Sequence, residues 1–79
     1  MYDIKERVKV ALICDRRGSF PVWFEWRGER IRIEKIHYKW VERKGQQVYC
    51  HFSVLSNNTL YHLVFHRDYM EWFLEGIEE

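Results

Sequence analysis

The stretch that decides the fold is residues 48–66, VYCHFSVLSNNTLYHLVFH. Apolar and polar side chains alternate on both sides of Asn57 and Asn58, and this two-residue period is typical of β-strands with one buried face. Asparagine tolerates the positive φ angles of a two-residue type I′ turn. The stretch is therefore predicted to be a β-hairpin, with strands over about 46–55 and 59–66.

The register of this hairpin gathers the apolar side chains on one face. A shift by one residue would turn every side chain of a strand to the other face, so the pattern selects one register. The predicted pairs are Cys50 with Phe65, Phe52 with Leu63 and Val54 with Tyr61. These residues are expected to form the centre of the core.

Three more strands are predicted upstream, where the same alternation continues. They run over about 8–14, 20–26 and 30–41. The turn at residues 27–29 has two possible central pairs, and both keep the apolar side chains of the flanking strands on one face.

Two other turns, residues 16–18 and 43–45, are predicted to be three-residue loops whose glycine takes the left-handed conformation. The first loop places Cys14 on the core face. The second pairs Trp40 with Val48 and so places Trp40 on the core face as well. Trp26, Trp40 and Phe52 are accordingly expected to be largely buried, and Trp23 mostly exposed.

The strand over 30–41 changes phase along its length. Its inward positions are odd-numbered as far as Ile33 and even-numbered from Ile36 to Trp40. A β-bulge near residues 34–35 would let both isoleucines point inward, and bulges coil a strand strongly. We therefore expect the sheet to bend here toward closure.

Residues 68–79 admit two interpretations. Asp68 and Glu71 have the spacing of a capping box, and apolar side chains follow at helical intervals: Met70, Phe73, Leu74 and Ile77. This pattern favours a short amphipathic helix. The alternative is a sixth strand through Trp72 and Leu74.

The expected fold is mainly β: a curled antiparallel meander of five to six strands, forming a small barrel or half-barrel, with the C-terminal segment as a helix or sixth strand. With 79 residues, 47% of them hydrophobic and 18% aromatic, the chain is predicted to be one domain over 1–79. This length excludes a Rossmann domain and a multidomain enzyme.

The compartment is predicted from the cysteines and the apolar runs. Cys14 and Cys50 are too few for a disulfide framework, and the apolar run over 10–14 is too short for a signal peptide. No stretch approaches the roughly 20 apolar residues of a membrane helix. We expect a cytoplasmic protein with reduced thiols and no membrane association.

No motif of a known catalytic type is present, so the chain is expected to be non-enzymatic, with no catalytic residue and no cofactor. His51, His62 and His66 fall on the outer face of the predicted hairpin. They lie close enough to share a metal but lack a cysteine or carboxylate as a further ligand. They are interpreted as solvated polar residues, and metal binding stays open.

The best functional signal is a basic and aromatic outer face. All thirteen Lys and Arg precede residue 68, whereas residues 68–79 are acidic. The predicted nucleic-acid-binding residues are Trp23, Arg27, Arg30, Arg32, Lys39, Arg43 and Lys44. An exposed Trp offers a stacking surface for bases and the cations attract phosphates, which suits single-stranded nucleic acid.

Two other interpretations of this face compete with nucleic-acid binding. Arg stems packed over Trp23 would make it an ordinary solvated surface. The exposed aromatic face, the sheet edges and the acidic C-terminal segment instead suit a protein partner or a second copy of the chain. Salt dependence separates these functions, because phosphate binding weakens steeply with salt.

A resemblance is carried by the run from Val8 to Trp40. Its features are Val8-x-Val10, a turn ending in Gly18, Pro21, the block Phe24-Glu25-Trp26-Arg27-Gly28, and Trp40. The run Tyr61-His62-Leu63-Val64-Phe65 and the run Trp72-Phe73-Leu74-Glu75 continue it. The chain resembles a small bacterial domain family of unknown function, whose members occur alone or appended to Y-family DNA-polymerase-like repair proteins. The resemblance implies a bacterial cytoplasmic β domain linked to nucleic-acid transactions, and a final strand through Trp72.

Overall fold

Seven β-strands follow one another in the computed structural model, which describes residues 2–78. They are β1 Tyr2–Asp15, β2 Gly18–Trp26, β3 Glu29–Arg32, β4 Lys35–Lys44, β5 Gln47–Ser56, β6 Thr59–His66 and β7 Glu71–Glu78. The described residues contain no helix long and apolar enough to cross a bilayer.

The strands form one antiparallel sheet in the order β3-β2-β1-β7-β6-β5-β4. The long strand β1 holds the sheet together, because its first half pairs with β7 and its second half pairs with β2. The sheet is curled into a half-barrel, as the phase change near residues 34–35 predicted, but it has seven strands rather than five or six.

The bend expected near residues 34–35 is present as a corner. The backbone N–H of Ile33 donates to Val22 of β2 at 3.0 Å, and the next N–H, of Glu34, donates to Leu55 of β5 at 2.9 Å. Consecutive residues thus reach strands far apart in the sheet order, which curls the sheet. The predicted long strand is therefore divided into β3 and β4, and Ile33 and Ile36 both pack against the core.

The core lies on the concave face of this curl. Phe24, Val54, Leu63 and Leu74 are fully buried, and Phe52 is 9% exposed. The predicted register of the β5–β6 hairpin is confirmed at all three apolar pairs. Asn57 and Asn58 have φ angles of 51° and 61°, as the predicted turn requires.

The predicted three-residue loop before β5 is wrong. Lys44 pairs with Gln47, so the turn consists of Gly45 and Gln46, with Gly45 at a φ of 60°. Glycine at the first central position is the preference of a tight type II′ turn. This turn alone sets Trp40 opposite His51 on the outer face, and a register irregularity further along, between Ile36 and Tyr38, then pairs Ile36 with Val54.

The first hairpin is also tighter than predicted. Asp15 pairs with Gly18, which leaves two turn residues instead of three. A register shift after Ala11 then restores the predicted pairing of Val10 with Phe24. The end of β1 extends beyond the core as a result, so Cys14 is exposed rather than on the core face.

The C-terminal helix is wrong, and the strand alternative is right. Residues 71–78 form β7, which pairs with β1 on one side and with β6 on the other. Without β7 both of those strands would present open edges. The predicted apolar stripe is accordingly split: Leu74 is fully buried, whereas Met70 is 75% exposed in the preceding turn.

Candidate functional site

Three of the predicted binding residues lie on the outer face of β2 and β3. Trp23 pairs with Arg32, and the guanidinium carbon of Arg30 lies 3.8 Å from the centre of the Trp23 ring. Trp23 is half-buried rather than mostly exposed. Since Arg30 occupies one face of the ring, Trp23 is a poorer surface for base stacking than its sequence position predicts.

Arg27 stabilises the β2–β3 turn. It lies in the turn with a φ of 51°, donates to both carboxylate oxygens of Glu6, and packs 4.7 Å above the Trp26 ring. The half-buried Trp26 indole donates to the same carboxylate at 3.0 Å. The hydrogen bonds from Arg27 and Trp26 hold the pKa of Glu6 below its ordinary value. Arg27 is therefore engaged in the fold.

The other predicted cations lie on β4, at the opposite end of the strand order. Lys39 and Arg43 pair with Phe52 and Val48 and share their side of the sheet, yet both are exposed. Neither makes an ion pair with any residue in the range 2–78. Lys44 lies 3.8 Å from Glu42 and contacts the Tyr49 ring. The seven predicted residues thus form two separate groups.

The outer face of β4 carries an aromatic pair that was not predicted from the sequence. Tyr38 is 63% exposed and Trp40 is 38% exposed, and their ring centroids lie 5.4 Å apart. The predicted register placed Trp40 in the core and so concealed this pair. The signal that could have found it is Gly45, since a two-residue turn starting there brings both rings outward.

Beneath Trp40, three polar side chains form a hydrogen-bonded chain. Glu42 Oε1 lies 2.9 Å from His51 Nε2, and His51 Nδ1 lies 2.8 Å from His62 Nε2. Trp40 stacks on His51 and also contacts His62, with centroid separations of 4.8 and 5.3 Å. We refer to Glu42, His51 and His62 as the histidine relay.

The ionised end of the relay determines the tautomers of both rings. The hydrogen bond from His51 holds the pKa of Glu42 below its ordinary value, and burial lowers the pKa of His62, with His51 adding to the effect. The carboxylate accepts the proton of His51 Nε2, so His51 Nδ1 accepts from His62 Nε2. His62 Nδ1 is left as an acceptor, and no described residue occupies it.

A groove of about 580 Å³ lies beside the relay. Tyr38, Trp40 and Tyr61 supply aromatic surface, and the polar groups come from His37, Ser53, His62 and Glu78. This volume lies within the usual range for small-molecule sites. Mostly apolar walls with a few polar groups are also typical of such sites.

A second groove, of about 560 Å³, connects β4 to the first hairpin. Its lining includes Arg17 and Phe20 on one side and Tyr38 and Lys39 on the other. Arg17 pairs with Asp15 and lies 5.4 Å from the Phe20 ring centre. Tyr38 borders both grooves, so the two grooves adjoin along β4.

Of the three predicted outer-face histidines, His51 and His62 are in contact, whereas His66 does not join them. His66 lies apart from the relay, between Tyr49 and Tyr69 at centroid distances of 4.6 and 4.5 Å, and its Nε2 is buried without a partner. Within residues 2–78, no three His, Cys, Asp or Glu side chains are arranged to hold a metal ion. The histidines are also not simply solvated, since stacking covers all three.

No protein-family model, curated protein or solved structure matches this chain.

Proposed function

We propose that this chain is a small non-enzymatic β module that binds single-stranded nucleic acid along β4. The observation that carries the proposal is the exposed ring pair of Tyr38 and Trp40, 5.4 Å apart on one edge strand. Stacking of a base on an aromatic ring contributes about 1–3 kcal/mol and tolerates any base. Two adjacent rings offer surfaces for successive bases.

The cations of β4 support the proposal. Lys39 and Arg43 project from the side of β4 opposite the two rings. Because β4 is an edge strand, a polynucleotide following its open edge meets rings on one side and cations on the other. Since neither cation is held by a carboxylate within residues 2–78, both are available to phosphates.

The groove between β4 and the first hairpin extends this surface. Arg17 and Phe20 lie across the groove from Tyr38 and Lys39, although Arg17 already pairs with Asp15 and lies over the Phe20 ring. A single strand that leaves the β4 rings would next meet this pair. The arrangement of stacking rings within a basic groove is the usual one for binding single strands without strong sequence preference.

The test is fluorescence anisotropy with a labelled single-stranded DNA 12-mer at low salt. The double variant Tyr38→Leu/Trp40→Leu is expected to bind at least about tenfold more weakly, from the loss of two stacking contacts. The matched control is Trp23→Leu, expected to bind within about twofold of the wild type. Equal losses in both variants, or no loss in the double variant, would contradict the assignment to β4.

A second candidate is self-association or capture of a protein strand at the same edge. β4 has ten residues, its second edge has no strand partner among the described residues, and Val41 beside Trp40 is exposed. Open edges accept a further strand through main-chain hydrogen bonds. Sedimentation equilibrium distinguishes this candidate from nucleic-acid binding. A dimer that forms with the same affinity at low and high salt, and that Val41→Pro abolishes, favours it.

The setting we propose is the bacterial cytoplasm. Cys14 is exposed and Cys50 is half-buried, and both are free thiols. An exposed unpaired thiol suits a reducing compartment. The resemblance to domains appended to repair polymerases supports the same setting and a role near DNA.

A further inference from the structure

The groove beside the histidine relay is lined by two hydrogen-bond acceptors, His62 Nδ1 and the Glu78 carboxylate. His62 Nδ1 is an acceptor because Glu42 and His51 determine its tautomer. Glu78, at the end of β7, lines the same groove and makes no ion pair with a described residue. A planar group stacked against Trp40 and Tyr38 would meet a carboxylate and an imidazole lone pair.

The nucleobases differ in what their Watson–Crick edges offer to such acceptors. Guanine presents two adjacent N–H donors, N1–H and the N2 amino group, which fit the two oxygens of a carboxylate. Adenine and cytosine present one amino donor beside an unprotonated ring nitrogen, and a carboxylate repels that nitrogen. Uracil and thymine present one N–H between two carbonyl oxygens. Guanine is therefore the base that the Glu78 carboxylate and the His62 lone pair favour.

We propose that the groove lined by Tyr38, Trp40, His62 and Glu78 is a guanine-binding site. The base stacks on the β4 rings, donates N1–H and one N2 hydrogen to Glu78, and donates the other N2 hydrogen to His62 Nδ1. The same base can come from a single strand or from a free guanine nucleotide. If the guanine belongs to a single strand, the inference rests on the nucleic-acid binding proposed above. The groove has room for a purine, at about 580 Å³.

The experiment has two arms, both at pH 7.5. One measures anisotropy with oligothymidine 12-mers that carry a single central guanine, hypoxanthine or adenine. The other measures calorimetric binding of guanosine, inosine and adenosine monophosphates. Hypoxanthine retains the N1–H and lacks the N2 amino group, so it isolates one of the two donors.

Guanine is expected to bind at least about tenfold more tightly than adenine, with hypoxanthine between them. Glu78→Gln should reduce this preference to about threefold or less, while Glu29→Gln, an exposed carboxylate on β3, should leave it unchanged. Both substitutions are at exposed positions, so both variants are expected to fold.

The outcomes separate the two proposals. Binding of all three oligonucleotides with equal affinity, or a preference that Glu78→Gln leaves intact, overturns the guanine site and leaves the nucleic-acid function standing. Binding of the guanine nucleotide without any oligonucleotide binding supports the groove and contradicts the nucleic-acid function. Failure of every oligonucleotide and nucleotide to bind contradicts both.

Discussion

Trp40 lies flat against His51, with ring centroids 4.8 Å apart and ring planes inclined by only 8°. The contact places an exposed aromatic ring directly over a hydrogen-bonded histidine pair. The inner side of Trp40 therefore shields the relay from water, while its outer side is exposed and is the side that we propose binds a ligand.

Removal of Trp40 should raise the pKa of His62. Burial is the largest cause of the lowered pKa of His62, and Trp40 is one of the rings that cover it. In Trp40→Ala the midpoint of the His62 ring signals, followed by NMR, is expected to move up toward the ordinary histidine value. Trp23→Ala is the control, and an unchanged midpoint in Trp40→Ala would contradict the covering role.

Stability should decrease as the pH falls below about 6.5, the ordinary pKa of histidine. The pKa of His62 is lowered in the fold, so the unfolded chain binds a proton more readily, and acid favours unfolding. The stability that neutral His62 contributes is fully present above the pKa that His62 has in the unfolded chain. It is lost as the pH falls toward the lower pKa of His62 in the folded protein. Urea unfolding between pH 7.5 and 5 checks this, and His62→Gln should flatten the curve over that window.

Truncation of the buried Phe52 should destabilise the protein far more than truncation of the exposed Tyr38. It is 9% exposed, pairs with Leu63 and lies 5.5 Å from the Trp72 ring. Phe52→Ala is expected to lower the free energy of unfolding by about 3–5 kcal/mol. Tyr38→Ala, at an exposed site, should change it by about 0.5 kcal/mol or less. Similar losses in the two variants, measured by urea titration, would mean that the faces are wrongly assigned.

Lys39 and Arg43 should determine the salt dependence of nucleic-acid binding. Each phosphate contact on a single strand adds about 0.7 to the slope of log K against log salt. The variants Lys39→Ala and Arg43→Ala are each expected to lower the slope by about that amount. Arg27→Ala is the control, because Glu6 already engages Arg27. If only Arg27→Ala changed the salt slope, the phosphates would have to bind on the β2–β3 side instead.

Much of the fold could be predicted because some turns are unambiguous. Asn57 and Asn58 favour a single two-residue turn, and that turn length determines the register of the β5–β6 hairpin. The turn at Gly45 permits either two or three residues, and the wrong choice moved Trp40 from the outer face to the core. Local chemistry does not distinguish these turns.

The C-terminal strand could not be predicted from spacing alone. Phe73, Leu74 and Ile77 fit a helical stripe, yet the space between β1 and β6 requires a strand that can pair on both sides. One of these two neighbours, β1, lies more than fifty positions away in the sequence. Likewise, the cover of Arg30 over Trp23 and the histidine relay depend on cross-strand geometry, which the sequence specifies only once the register is known.

The most direct test of binding along β4 is an NMR titration of the isotopically labelled protein with a short single-stranded oligonucleotide at low salt. Amide and ring signals of Tyr38, Lys39, Trp40 and their β5 neighbours are expected to shift in a saturable way. The signals of Trp23 and Arg30 should move little. Shifts centred on β2 and β3, or no shifts at millimolar oligonucleotide, would contradict the account.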